Sequence, residues 1–391
     1  MSSFAVRLIL WLALTALMLM LAWAVWVYNL ERACILRQWP ELASCTNRDS
    51  GVSGEIESLR KHIRRNPGDS EAWIQLAMRQ SSNKVTGFDD ATLDTATQLA
   101  GQDPRLQRMQ AIRAIQRQQW PQAIEWLVRL VQDSDDGRAA VAIAASMREP
   151  EALAALQNQI KPGARWLGPT INAMPQARVP VVVAMPLVVR ALSQQGISPE
   201  LMQQLLQQLK ADGQWLEARA LWAAWLGRPA DLIFNGNFNT GFIPGGFDWE
   251  VMPAPPSKAG ALVRQVALND HGGVLQVEFT GRPLTVPLVR QHLVLLHKHF
   301  VLSGRFMTAS LRANEGLAWV LNCVNGGGEI ARTPALKDTS KLWQPFNVEF
   351  VLPSGCGNAV ALQLQTFAPY ESSTGLRGQA TFDDLKLEAR P

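Results

Sequence analysis

The fold of the C-terminal part of the chain is decided by the stretch FVLSGRFMTASLRANEGLAWVLNCV, residues 300–324. Apolar and polar residues alternate from Phe300 to Leu311, and a second, more apolar run extends from Leu317 to Val324. A period of two is typical of β-strands, and a buried strand is apolar throughout. The stretch therefore predicts two strands separated by a short turn.

The same pattern continues on both sides of this stretch. Turn residues such as Asn269–Gly273 and Asn325–Gly328 separate the runs at short intervals. The other alternating runs are Leu262–Leu268, Val274–Phe279, Phe346–Leu352, Ala359–Phe367 and Ala380–Leu387. Many short strands with regular turns are typical of an antiparallel sandwich, so residues 229–391 are predicted to form one.

Residues 55–228 have a different texture, rich in Ala and Gln, and predict helices. Asn66–Asp69 forms a turn in which Asp69 or the following Ser70 can cap a helix, and Asp103-Pro104 opens another helix in the same way. Five prolines between residues 160 and 190 interrupt any regular repeat in that part.

Within this region, SEAWIQLA (Ser70–Ala77) has the Trp, Leu and Ala pattern of a repeat's first helix, and Ala111 and Ala145 follow Ala77 at steps of 34 residues. The motifs QWPQAIEW (Gln119–Trp126) and QWLEARA (Gln214–Ala220) resemble each other. The segment resembles tetratricopeptide repeats, which are antiparallel helix pairs with a 34-residue period. The two QW motifs are 95 residues apart, so we expect a degenerate solenoid. It would offer a groove for a protein segment or serve only as a spacer.

The N-terminus carries an uncharged apolar stretch from Leu8 to Tyr28. Its 21 residues would span about 30 Å as a helix, the thickness of a bilayer core. Ala22-Trp23-Ala24 resembles a signal-peptide cleavage site, but the apolar run continues beyond it. We expect a retained transmembrane anchor over residues 1–29, with a cleaved signal as the alternative, followed by a connector over residues 30–54.

The four cysteines fall into two local pairs, Cys34 with Cys45 and Cys323 with Cys356. Neither pair has the spacing of a zinc site. Behind an export segment, an even count in local pairs favours two disulfides in an oxidising compartment over four buried thiols. This interpretation places residues 30–391 outside the cytoplasm.

Charge and motifs argue against two functional classes. The formal net charge is only +4 and no nucleic-acid motif is present, so we expect no nucleic-acid partner. The sequence contains no nucleophile-elbow, zinc-protease or phosphate-loop signature, and the histidines His292, His297 and His299 have no evident third metal ligand. We therefore expect no enzymatic activity.

Both ends of the sandwich segment carry motifs. The opening is LIFNGNFNTGF (Leu232–Phe242) followed by Gly246-Phe247-Asp248-Trp249, and the close is TFDDLKLE (Thr381–Glu388). These ends resemble the jelly-roll of non-catalytic carbohydrate-binding modules. The resemblance implies a structural calcium between them, for which Asp383 matches the family's aspartate. Asn239 replaces the usual Glu, which removes one charge from a site of hard oxygen ligands. No other cofactor is expected.

The resemblance also implies glycan binding by exposed aromatic rings. The candidates are Tyr370, in a polar loop, Trp343 and Trp249. Trp319 lies within an apolar run and is expected in the core.

Together these features predict a multidomain α plus β protein with a transmembrane helix, a tetratricopeptide-like solenoid over residues 55–228 and a jelly-roll over residues 229–391. The combination resembles membrane-anchored accessory proteins of bacterial envelope or exopolysaccharide assembly, an analogy at the level of fold. It implies a periplasmic scaffold on the inner membrane that binds envelope proteins through its helices and polysaccharide through its sandwich. The alternative is a stalked protein whose main role is glycan capture.

Overall fold

The computed structural model describes residues 14–26, 52–82, 89–194, 196–227, 229, 231–253, 259–268, 272–326, 328–339 and 341–390. Residues 14–26 form a helix, α1. Among the described residues, no helix is both long enough and apolar enough to cross a membrane. The two ends of the predicted Leu8–Tyr28 span lie outside the described residues. Backbone contacts divide the chain into two compact units, Met1–Val179 and Pro180–Pro391.

Unit 1 is helical, as the sequence predicts. Its helices are α2 (Val52–Arg65), α3 (Ser70–Ser82), α4 (Asp90–Ala100), α5 (Pro104–Gln116), α6 (Trp120–Ser134), α7 (Gly137–Ser146), α8 (Pro150–Gln159) and α9 (Leu167–Ala177). The Asp103 carboxylate accepts a hydrogen bond from the Arg105 backbone N–H at 2.8 Å, and Pro104 occupies the first helical turn. This combination satisfies an otherwise unpaired donor at the start of α5.

A step of 34 residues relates α3 to α5, which begin at Ser70 and Pro104. Glu71 of α3 receives two hydrogen bonds from Arg105 of α5, at 2.9 and 2.6 Å. Ala77 and Ala111 are buried, but Ala145 is exposed. It lies in α7, which begins at Gly137, 33 and not 34 residues after the start of α5. The likeness to tetratricopeptide repeats therefore stays a prediction.

Unit 2 begins with a 3₁₀ turn (Val181–Ala184) and three helices, α10 (Met185–Ser193), α11 (Pro199–Ala211) and α12 (Trp215–Leu226). In the described residues that follow there are ten strands and a short helix: β1 (Glu250–Val251), β2 (Ala261–Leu268), β3 (Gly272–Thr280), β4 (Val289–Val294), β5 (His299–Arg312), β6 (Leu317–Cys323), β7 (Glu329–Arg332), β8 (Gln344–Val351), β9 (Ala359–Thr366), α13 (Pro369–Thr374) and β10 (Arg377–Arg390).

The strands form two five-stranded sheets. Sheet A has the order β1-β4-β9-β6-β7 and sheet B the order β2-β3-β10-β5-β8. Every strand pair is antiparallel, which confirms the predicted sandwich. All seven runs identified in the sequence are strands, while β1, β4 and β7 were not identified.

The core lies between the two sheets. Trp319 is fully buried, as expected, and its ring packs 5.4 Å from the rings of both Trp249 and Phe382. Trp249 and Phe382 come from the two end motifs of the segment. The motifs also meet at the backbone, where the Leu385 N–H donates to the Gly236 carbonyl at 2.9 Å. The start and the end of the sandwich segment are therefore joined in the same core.

Helices α11 and α12 belong to the same compact unit as the sandwich. Trp215 of α12 packs 5.4 Å from the ring of His292, which lies on the outer face of β4 because Val289 and Leu293 point into the core. A Cβ on Gly246 would lie 2.2 Å from the Trp222 ring, so only glycine allows this approach. The division into units thus falls at Val179, whereas the sequence interpretation grouped these helices with the solenoid.

Candidate functional site

One row of paired residues crosses all five strands of sheet A on the face turned away from the core. Strand register pairs Glu250 with Arg290, Arg290 with Gln363, Gln363 with Val320, and Val320 with Arg332. We call these five residues the sheet A row. Val320 is fully buried, so the groups that reach solvent in this row are the four polar ones. The row is a line of donors and acceptors about four strand spacings long.

A second line of residues lies beside the row. Register pairs His292 with Ala361 and Ala361 with Asn322. The Asn322 side-chain amide donates to Gln363 Oε1 at 3.1 Å. Two amide groups are thereby held together in the middle of the face, between the charged groups at its ends.

The Glu250 end of the row is a half-buried ion pair. Glu250 Oε2 accepts hydrogen bonds from Arg290 Nη2 at 2.6 Å and Nε at 3.1 Å, and Oε1 lies 3.8 Å from His292 Nδ1. Burial favours the neutral acid, but His292 and Arg290 outweigh it and lower the pKa of Glu250 to about 2. The carboxylate therefore stays ionised at any physiological pH and acts as an acceptor.

Lys210 of α11 adds a cation next to this pair. Its ammonium donates to the Gly246 carbonyl and lies 4.5 Å from the centre of the Phe247 ring. Burial, together with the charge of Arg290, lowers the pKa of Lys210 to about 8, although Glu250 acts in the opposite direction. Among the described residues, the carboxylate that acts on this ammonium is Glu250, which Arg290 already binds.

The opposite end of the row is held by Arg332. Its guanidinium pairs with both oxygens of Glu329, at 3.0 and 2.6 Å, and also donates to the Phe367 carbonyl. It lies 5.4 Å from the centre of the half-buried Phe367 ring. A guanidinium held at three points presents its remaining N–H groups in a fixed direction.

Tyr370 lies near this end, three residues after Phe367. Its side chain is 51% exposed, in agreement with its choice as the exposed candidate. Glu371, its neighbour in α13, is buried and accepts hydrogen bonds from the backbone N–H groups of Asn314 and Gly316 at 2.6 and 3.0 Å. These bonds fix α13 against the turn that precedes β6, so Tyr370 is held on a short rigid element.

The structure does not bring the other two aromatic candidates to this place. Trp249 is only 2% exposed, and its indole N–H donates to the Asn235 carbonyl at 3.1 Å. Its ring has no face available for a sugar, so Trp249 is no longer a candidate for glycan binding. Trp343 is half-buried and packs 5.4 Å from the guanidinium of Arg305, a residue of sheet B.

The residues proposed for calcium do not fit a metal site. Asp383 Oδ2 pairs with Arg305 Nη2 at 2.9 Å, and Oδ1 accepts the Asp384 backbone N–H at 2.7 Å. Asn239 Oδ1 accepts the Gly273 N–H at 2.6 Å. Protein donors already occupy these oxygens, and Arg305 supplies the positive charge by also pairing with Asp384 at 2.6 Å. In the described part of the chain, no three His, Cys, Asp or Glu side chains are arranged to hold a metal ion.

The disulfide predicted for the sandwich is confirmed. Cys323 and Cys356 are bonded, with their Cα atoms 5.2 Å apart. The bond joins the end of β6 to the turn before β9, two neighbouring strands of sheet A. The other predicted pair, Cys34 and Cys45, lies outside the described residues.

The sequence interpretation missed Glu250, Arg290 and Gln363 as site residues. The run VRQHLV (Val289–Val294) does alternate, with Arg290 and His292 opposite Val289 and Leu293, so its period of two was a usable signal. What the sequence cannot supply is the strand order that places β1, β4 and β9 side by side.

Comparison with known proteins gives similarity only to solved structures. No protein-family model matches the chain, and no curated protein matches it. A family 4 carbohydrate-binding module is 15% identical, with a TM-score of 0.32, over 40% of this chain and 99% of the module. A family 22 xylan-binding domain from Paenibacillus barcinonensis is 14% identical, with a TM-score of 0.27, over 39% of this chain and 90% of that domain. A carbohydrate-binding module from Cellvibrio mixtus in complex with cellotriose is 11% identical, with a TM-score of 0.20, over 31% of this chain and 86% of the module.

Proposed function

We propose that the sandwich of unit 2 binds polysaccharide without cleaving it, and that the sheet A row is the contact surface. The observation that carries this proposal is the strand register that aligns Glu250, Arg290, Gln363 and Arg332 on four of the five strands of sheet A, with the buried Val320 on the fifth. A line of fixed polar groups matches a chain polymer, which repeats its hydroxyl groups along one direction. Carboxylates accept, guanidinium groups donate and amides do both, so such a line can serve hydroxyl groups in either role.

Stacking would come from the end of the row. The Phe367 ring lies against Arg332, and Tyr370 projects from α13 with about half its side chain in solvent. An aromatic ring that is held by a rigid element loses little entropy when a ligand covers it. We therefore assign Tyr370 a supporting role and the polar row the main one.

The ionised state of Glu250 supports binding without catalysis. A glycosidase needs a carboxylic acid that is protonated near neutral pH, beside an ionised one. Glu250 has the opposite property, since its pKa is held at about 2 by His292 and Arg290. Its role in the proposal is to orient Arg290 and to accept hydrogen bonds.

The proposal is tested by titrating a panel of polysaccharides into the full-length chain in a calorimeter. Gln363→Ala should weaken binding by about tenfold, because the row loses its central amide. Gln276→Ala is the matched control, since Gln276 lies half-buried on the outer face of sheet B. Tyr370→Ala should have a smaller effect of a few fold. Failure of the whole panel to bind, or equal losses in both Gln variants, would contradict the proposal.

We also propose that unit 1 contacts protein partners, as a scaffold would. Met78 and Ile112 support this, because they occupy equivalent positions 34 residues apart in α3 and α5 and are 37% and 41% exposed. Apolar side chains repeated on successive helices are typical of a contact surface. The double variant Met78→Ser/Ile112→Ser should lose cross-linked partners, whereas Val189→Ser, an exposed residue of unit 2, should keep them. Unchanged cross-linking in the double variant would contradict the scaffold role.

For the location of the protein we propose the periplasmic side of a bacterial inner membrane, with residues 1–29 as a single-span anchor. The Cys323–Cys356 disulfide supports an oxidising compartment. The apolar stretch from Leu8 to Tyr28 supports the anchor. Protease protection of spheroplasts tests both, since an exported unit 2 should be digested without lysis.

A further inference from the structure

The charges around the sheet A row do not balance. Three groups that are cationic at neutral pH, Lys210, Arg290 and Arg332, face two carboxylates, Glu250 and Glu329. The set therefore carries a net charge of about +1 on a surface that is only about one-third exposed.

The two arginines are arranged as separate, pre-oriented donors. Both hydrogen bonds of Arg290 go to the same oxygen of Glu250, and its Nη1 makes none within the described part of the chain. Arg332 keeps two N–H groups beyond its bonds to Glu329 and to the Phe367 carbonyl. Strands β9 and β6 lie between the two arginines, so the backbones that carry them are roughly 14 Å apart in the sheet.

The outer face of sheet B does not show this excess. Its exposed glutamates Glu278, Glu349 and Glu388 are accompanied by the exposed cations Arg264 and Lys386, and Arg305 is engaged by two aspartates. The excess of cationic side chains therefore accompanies the sheet A row, and an anionic ligand should prefer that face to the outer face of sheet B.

We propose that the polysaccharide bound by the sheet A row is acidic, with carboxylate-bearing sugar units that pair with Arg290 and Arg332. This inference rests on the proposed function and names its ligand class. A planar guanidinium recognises a carboxylate through two parallel hydrogen bonds, and the low exposure of the row strengthens such pairs. Lys210 supports the arginines from the side. Its ammonium is buried near Glu250, a carboxylate that Arg290 already binds, so a bound anion would add to its stabilisation.

The experiment compares charged and uncharged forms of the same polymer on the full-length chain. The probes are polygalacturonate and its fully methyl-esterified form, together with alginate and a neutral β-glucan, titrated in a calorimeter at low and high NaCl. The acidic polymers should bind at least about tenfold more tightly than the esterified one, and their affinity should fall as salt rises.

Two variants of one ion pair should move the affinity in opposite directions. Arg290→Gln removes a cation and should weaken acidic binding about tenfold. Glu250→Gln removes the competing carboxylate while keeping an acceptor for Arg290, and should strengthen it a few fold. Arg264→Gln, from the exposed pair on sheet B, should change nothing. The Glu250 variant and the salt series keep the inference testable even where Arg290→Gln folds poorly.

The outcomes separate the two proposals. Equal binding of the charged and esterified polymers, preference for the neutral glucan, or affinity independent of salt would overturn the acidic ligand and leave polysaccharide binding in place. Absence of binding to all four polymers would overturn both.

Discussion

Two arginine–glutamate pairs, one on the outer face of each sheet, have nearly the same geometry and different surroundings. The Arg290–Glu250 pair of sheet A is 2.6 Å long, and the Arg264–Glu278 pair of sheet B is 2.8 Å long. The side chains of the first pair are 33% and 27% exposed, and those of the second 50% and 54%. The difference in cover comes from α11 and α12. Lys210 of α11 lies close enough to influence Glu250 and Arg290, and Trp215 of α12 packs against the neighbouring His292. Identical chemistry thus becomes a candidate site only where water is partly excluded.

The two sheets also differ in what secures them beyond strand pairing. Sheet A has the Cys323–Cys356 bond between the β6 and β9 regions. Sheet B has an ion pair in which Arg305 joins Asp383 and Asp384, next to a register shift in β10. Because sheet A has a disulfide and sheet B an ion pair, substitutions at these two places should change the stability of unit 2 by different amounts.

The largest effect is expected from the covalent link. The double variant Cys323→Ala/Cys356→Ala should destabilise unit 2 by about 2–4 kcal/mol, since the bond closes a loop with a sequence separation of 33. Hydrogen exchange of the β6 and β9 amides measures the loss locally, with the β2 and β3 amides of sheet B as the internal reference. An unchanged exchange rate in β6 would show that strand pairing alone secures sheet A.

A somewhat smaller effect is expected at Arg305. Arg305→Met should cost about 1–3 kcal/mol, because it leaves the buried Asp383 carboxylate without its partner. Burial already raises the pKa of Asp383, against the effect of Arg305, so the loss should grow as pH rises and the carboxyl ionises. Thermal melts at several pH values measure this.

The same melts test the fit of calcium. With Arg305 in place, melting temperatures in calcium and in chelator should coincide, since the oxygens of Asp383 and Asn239 are already bonded to protein donors. A higher melting temperature in calcium would show that a metal competes for these oxygens.

The next largest effect on stability is expected from comparing Arg290 of sheet A with Arg264 of sheet B. Arg290→Met should destabilise unit 2 by about 1–2 kcal/mol, because the half-buried Glu250 loses both of its hydrogen bonds from Arg290. Arg264→Met should stay within about 0.5 kcal/mol, as is usual for exposed pairs. Chemical denaturation of both variants makes the comparison direct. Equal losses would mean that the cover from α11 and α12 does not affect the strength of the ion pair.

The residues show why the sequence predicted the sandwich better than its site. Long alternating runs such as Phe300–Leu311 identify strands on their own, and the meeting of the two end motifs follows from the jelly-roll resemblance. The sheet A row depends instead on two-residue β1 and six-residue β4, and on an order that puts β4 beside β9. Burial of Trp249 was hidden for a related reason, since part of its cover comes from Trp319, which is distant in the sequence.

The smallest effect is expected in the pH dependence of stability, where Glu250→Gln and Glu278→Gln should differ. The pKa of Glu250 is lowered from 4.5 to about 2, so the unfolded chain binds more protons than the folded one between these values. The stability that Glu250 contributes is therefore complete above pH 4.5 and is lost as pH falls towards 2. Glu250→Gln should flatten this part of the stability curve, and Glu278→Gln, from the exposed pair, should leave it as it was. A curve that is the same in both variants would place the acid sensitivity of unit 2 elsewhere, and the cover over sheet A would then have no electrostatic consequence.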